Sequence, residues 1–134
     1  MRKSICFTLG VLMLAGCSGN NVGKAEQEMN GEKVSAVVEM DGNQIASISI
    51  DETTQGISKK EKKENYGLKK YSSINKEWYE QIAFLEEYLM EHGSDAITFD
   101  EQGRAQNTDV LSGCTISIEK YVDVFEEAKA DAME

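Results

Sequence analysis

The chain has 134 residues, enough for one domain and too few for two. With 24 Asp and Glu against 14 Lys and Arg, its formal net charge is −10. Such a surface repels phosphate backbones and anionic lipid heads, which excludes nucleic acid as an expected partner and leaves no charge-driven route to a membrane. A single His and three Cys, with no paired metal-ligand spacing, give no transition-metal site.

In chain order, Arg2 and Lys3 precede the apolar run ICFTLGVLMLAG and then Cys17. The run is short of the roughly 20 residues a spanning helix needs, so residues 1–16 read as a signal peptide. The junction Leu14-Ala15-Gly16-Cys17 resembles the lipobox of bacterial lipoproteins, which implies a diacylglycerol on the Cys17 thiol and anchorage at the extracytoplasmic face of the cell membrane. Cys6 leaves with the leader and Cys17 carries lipid, so Cys114 remains alone and no intramolecular disulfide forms. Residues 17–32 are polar and without apolar period, which predicts a flexible tether ahead of a domain at 33–134.

From Val34 the runs VSAVVEM and QIASISI flank Asp41-Gly42 and predict a β-hairpin. The stretch from Asp51 to Ser73 has no usable period, and its KKEKK block reads as a solvated loop. A helix follows from about Asn75 to His92. Trp78, Ile82, Leu85 and Leu89 share one face, Ser73 or Asn75 is the expected cap, and Gly93 is the stop. Trp78 is expected in the core and His92 at the helix dipole. Ala96 to Phe99 reads as a short strand. A last helix is expected over 118–130, with Ser117 as cap and Ile118, Tyr121, Val122, Phe125 and Ala128 facing inward. The predicted fold class is α+β: a small antiparallel sheet starting with a β-hairpin, one long helix, and a C-terminal helix packed on the sheet.

The segment before that last helix carries the chemistry. Asp109, Ser112, Gly113, Cys114 and Thr115 have the spacing D-x-x-S-G-C-T. A helix N-terminus exposes unpaired N–H groups that suit a phosphate, and Gly allows close backbone approach. This spacing resembles the D-x-x-[ST]-G-A-T attachment motif of the FMN-binding domain family, which includes the C subunit of the sodium-pumping NADH:quinone reductase. The stretch DGNQIASISIDETTQGIS is similar to the family's early hairpin, with Glu52, Thr53 and Gly56 near its E-T-x-G element. The resemblance implies that a flavin transferase joins FMN through its phosphate to Thr115. Asp109 and Ser112 would present that residue, and Gly113 would give room. Cys114 stands where the family has Ala. The implied protein is a lipid-anchored redox carrier serving a membrane-bound redox partner. A non-redox surface lipoprotein of the same fold, or noncovalent FMN on the same loop, is the competing reading. No paired carboxylates or nucleophile triad suggest hydrolysis.

Overall fold

The computed structural model describes residues 20–134, so the expected signal peptide at 1–16 and Cys17 lie outside the described residues. Four strands form an antiparallel sheet in chain order: β1 (Asn20–Met29), β2 (Glu32–Asp41), β3 (Gln44–Thr54) and β4 (Ile57–Ser58). Four helices follow: α1 (Lys59–Lys62), α2 (Trp78–His92), α3 (Thr108–Leu111) and α4 (Glu119–Ala132). The α+β class and the packing of helices on the sheet agree with the sequence reading.

The first departure is the tether. Residues 20–29 form β1, paired with β2 from Asn20–Asp41 to Met29–Glu32. Its turn signal is present in the sequence: Asn30 and Gly31 have φ of +54° and +81°, the left-handed pair that a two-residue hairpin loop favours. What is missing is apolar period, because the inward positions are Gly23 and Ala25 rather than large side chains. Small size there is a packing demand. A Cβ on Gly23 would lie 2.0 Å from the Ala128 carbonyl oxygen and 2.3 Å from the Ala132 nitrogen of α4.

The hairpin around Asp41-Gly42 forms as expected, with one irregularity. Glu39 pairs with Ser47 and Met40 with Ile45, so Ala46 is an extra residue in β3. That bulge turns Ile45 toward the core alongside Ile48 and Ile50, which strict alternation from Ile45 would not allow. Val34, Ala36, Val38 and Met40 supply the inward face of β2. Against this face lie Ile82, Leu85 and Leu89 of α2 and Val122, Phe125 and Ala128 of α4, all buried. The opposite face carries Ser35, Glu39, Ser47 and Ser49 and is open.

Several local expectations are corrected. The cap of α2 is Glu77, in a reciprocal box with Glu80, and neither Ser73 nor Asn75 serves. Ala96 to Phe99 makes only an isolated bridge from Phe99 to Ala105. Ser117 does not cap α4; its hydroxyl donates to the Gln102 carbonyl at 2.7 Å. The KKEKK block is the short helix α1 and the first residue of the 3-10 turn that follows it, and Lys59 within it is buried. Lys60 bonds Glu86 Oε2 at 2.6 Å, and that same oxygen accepts the Ile50 N–H at 2.7 Å. One carboxylate from α2 therefore covers the part of the β3 edge that two-residue β4 leaves open.

Candidate functional site

The segment from Asp109 to Thr115 runs from α3 down into the core and back out. Asp109 is exposed on α3, where its carboxylate accepts from the Tyr88 hydroxyl at 3.1 Å. The Ser112 hydroxyl donates to the Asp109 carbonyl at 2.7 Å. Gly113 then passes over α2 so closely that a Cβ would lie 2.2 Å from the Phe84 ring. The room that Gly113 provides is therefore taken by Phe84. Cys114 is fully buried in the core, and burial pushes its thiol up to about 12 against a weaker lowering by the Ile116 N–H. An uncharged thiol packed this way does not face a bound group.

Thr115 emerges half-buried. Its N–H donates to Gln81 Oε1 at 2.8 Å, and its hydroxyl reaches the same oxygen at 3.4 Å. Gln81 is fully buried and turns its amide to the Ser72 hydroxyl and the Lys76 carbonyl, both at 3.2 Å. The side chain is thus fixed at both ends. Gln81 was not singled out in the sequence, although it is a polar residue on the helix face shared by Trp78, Ile82 and Leu85, and that interruption was the available signal.

Beside Thr115 opens a cleft of about 470 Å³, lined by Ile74, Ala105 and Leu111 together with Asp100, Arg104 and Thr115. Arg104 is the sole arginine among the described residues, and its Nε donates to Asp100 Oδ2 at 3.1 Å. Asp100 is held below its ordinary range, first by the Arg104 backbone N–H and despite partial desolvation. Asp109, Ser112, Gly113 and Cys114 do not line this cleft. Of the five motif residues, Thr115 alone reaches it.

The helix N-terminus expected to receive a phosphate near Thr115 is already occupied. Thr115 lies four residues before Glu119, and the Ile118 and Glu119 N–H groups both donate to the Gly103 carbonyl, at 2.8 and 3.0 Å. The start of α4 is closed from within, so an anion at Thr115 would look to the Arg104 guanidinium rather than to those donors.

A second polar site lies deeper. Glu52 on β3 is fully buried and meets Lys59 at 2.5 Å, Lys120 at 2.6 Å and the Tyr121 hydroxyl at 2.7 Å. Burial alone would raise its pKa. The hydrogen bonds from Lys120, Lys59 and Tyr121 outweigh that and bring it down to about 2. Lys59 is raised above its ordinary range because its bond to Glu52 outweighs its own desolvation. Trp78 Nε1 donates to the Tyr121 oxygen at 3.3 Å, and the Lys59 ammonium lies 5.9 Å from the Trp78 ring centre. Trp78 belongs to this buried cluster, in the core as expected.

No family model matches the chain, and no curated protein matches it. The fold is similar to a solution NMR structure of a Clostridium thermocellum protein, a structural-genomics target. The two are 28% identical, with 87% of this chain and 92% of that one covered and a TM-score of 0.54. The α+β architecture is therefore shared with an experimentally determined protein.

Proposed function

We propose that the chain is an extracytoplasmic, lipid-anchored flavoprotein of the FMN-binding domain type, carrying electrons through FMN joined by its phosphate to Thr115. The observation that carries the reading is the Thr115 hydroxyl, fixed by buried Gln81 at the wall of a cleft that also holds Arg104. The residues present fit the group: a hydroxyl for the ester, a guanidinium for the phosphate, and apolar walls from Ile74, Ala105 and Leu111 for the ring system. Bound FMN supplies one- and two-electron transfer.

The chain's own part is positioning. Esterification removes the Thr115 hydroxyl hydrogen, which ends the 3.4 Å donation to Gln81 and leaves the 2.8 Å backbone bond in place. Thr115 thus keeps its anchor after modification. Gly113 brings the segment down onto α2, and Cys114 packs as a small apolar group within the core. Asp109 and Ser112 brace the approach through Tyr88 and the α3 backbone. The partners of this reading are a flavin transferase and a membrane-bound redox protein.

The closed start of α4 favours the competing reading, a colourless surface lipoprotein of the same fold. Coexpression with a flavin transferase separates the two. The proposal expects a yellow protein whose colour survives denaturation and gel filtration, and whose Thr115→Ala variant is colourless. Colour lost on denaturation would mean noncovalent FMN. A colourless wild type beside a yellow Cys114→Ala variant would mean that this chain no longer accepts the group.

A further inference from the structure

Asn20, the first residue of β1, pairs with Asp41 at the start of the β2–β3 turn. The chain therefore enters the domain at the end where that turn lies. Only Ser18 and Gly19 separate Asn20 from Cys17, and three residue steps reach at most about 11 Å when fully extended. A domain of this size has a radius of gyration of about 13 Å. An anchor at Cys17 is thus shorter than the domain's own radius, which keeps the entry end within about 11 Å of the bilayer.

The entry end has a surface to match. Asn43, Gln44, Met90, Gly93, Lys129 and Met133 line a cleft of about 510 Å³ between the turn and the C-terminal ends of α2 and α4. Met90 is 43% exposed and Met133 is 61% exposed. Their thioether chains are apolar and adaptable, and Lys129 brings a cation within the same cleft. Asp41, Glu91 and Glu134 are exposed nearby, so attraction to anionic lipid is not the source of contact.

We infer that this end, built from the β2–β3 turn, Met90, Lys129 and Met133, is held against the phospholipid headgroups as the membrane-contact face of the domain. The inference rests on the lipid at Cys17 proposed above. Gln81, which fixes Thr115, lies twelve residues before Gly93, about 18 Å along α2 at 1.5 Å per residue. The Thr115 cleft is therefore on the side remote from the bilayer. Its redox partner is met through an extramembrane domain, and an acceptor dissolved among the acyl chains is out of reach.

Fluorescence quenching in phosphatidylcholine vesicles carrying a headgroup-region nitroxide lipid tests the orientation. The full lipidated chain is labelled at Asn43→Cys or at Lys69→Cys. Lys69 lines a separate cleft with Glu77, the cap of α2, and so marks the far end. Burial protects Cys114 from the label, and acylation protects Cys17. Quenching should be several-fold stronger at position 43 than at 69. A Gly/Ser insert of about 20 residues after Ser18, spanning about 25 Å, should leave co-flotation with vesicles intact and reduce that difference. Equal quenching at both positions of a co-floating chain, or stronger quenching at 69, overturns the orientation alone. A chain that does not co-float overturns the anchor and the orientation with it, and leaves the flavin reading at Thr115 untouched.

Discussion

Glu52, on β3 against α1 and α4, and Thr115, in the loop that rests on α2, are both polar groups held by packed elements, and they differ in what each leaves open. Glu52 receives two ammonium groups and a phenol, from α1 and α4, and none of its surface is exposed. Its charge is answered within the protein and nothing remains for a ligand. Thr115 is half-buried, held by a single oxygen of Gln81, and its hydroxyl lies at a cleft with Arg104. The more perturbed and more deeply buried group is here the structural one. Perturbed pKa values often mark functional sites, but ion-pair networks perturb them too, and a carboxylate closed in like Glu52 has no face left for a ligand.

The largest expected effect breaks the closed site. Glu52→Ala leaves Lys59 buried without its partner and should lower stability by about 3–5 kcal/mol in urea unfolding. A loss below about 1 kcal/mol would mean that Lys59 escapes to solvent and that the cluster does not clamp α1 to β3. Replacing both groups, as Glu52→Leu with Lys59→Met, should recover much of the loss.

The same carboxylate gives a pH signature. Its folded pKa of about 2 lies below the ordinary 4.5, so its stabilisation is full above about pH 4.5 and fades as pH falls toward 2. The loss across that window should be on the order of 3 kcal/mol. Glu52→Gln should flatten it, and an unchanged acid limb in that variant would assign acid sensitivity elsewhere. Thr115→Ala should leave the limb as it is, which sharpens the contrast between the two sites.

Next in size is Gly113. Its Ala variant must push the Phe84 ring aside and should lose about 1–3 kcal/mol. Combination with Phe84→Ala should relieve most of the clash. If Gly113→Ala is neutral alone, the segment does not ride on α2 as described. Cys114→Ala should be the mildest, about 1 kcal/mol for a small buried group. The native thiol should resist alkylation until the chain is unfolded, because burial pushes it up to about 12.

Large side chains made much of this molecule legible in its sequence. The inward faces of α2 and α4 fell at helical spacing because Trp78, Ile82, Leu85 and Leu89, and Tyr121, Val122, Phe125 and Ala128, need burial. The strand β1 was hidden because it packs through Gly23 and Ala25, where closeness to α4 requires the absence of a side chain. Its Asn30-Gly31 turn was a readable signal that composition masked. The buried pair was illegible for another reason: Lys59 looks like one more member of a charged run, and only Glu52 on a neighbouring strand makes its burial tolerable. At the candidate site the motif contains Thr115, while Gln81, which holds it, and Arg104, which shares its cleft, come from distant positions that spacing does not connect.

The most direct test of the account is the intact mass of the chain coexpressed with a flavin transferase, measured beside Thr115→Ala and Thr115→Ser. Wild type should gain the mass of one FMN less one water. The Ser variant, which keeps a hydroxyl, should retain some of that gain, and the Ala variant should show none. A wild-type mass without the gain, in a preparation where another substrate of the transferase is modified, would contradict the central claim. A gain that persists in Thr115→Ala would place the flavin on a different residue.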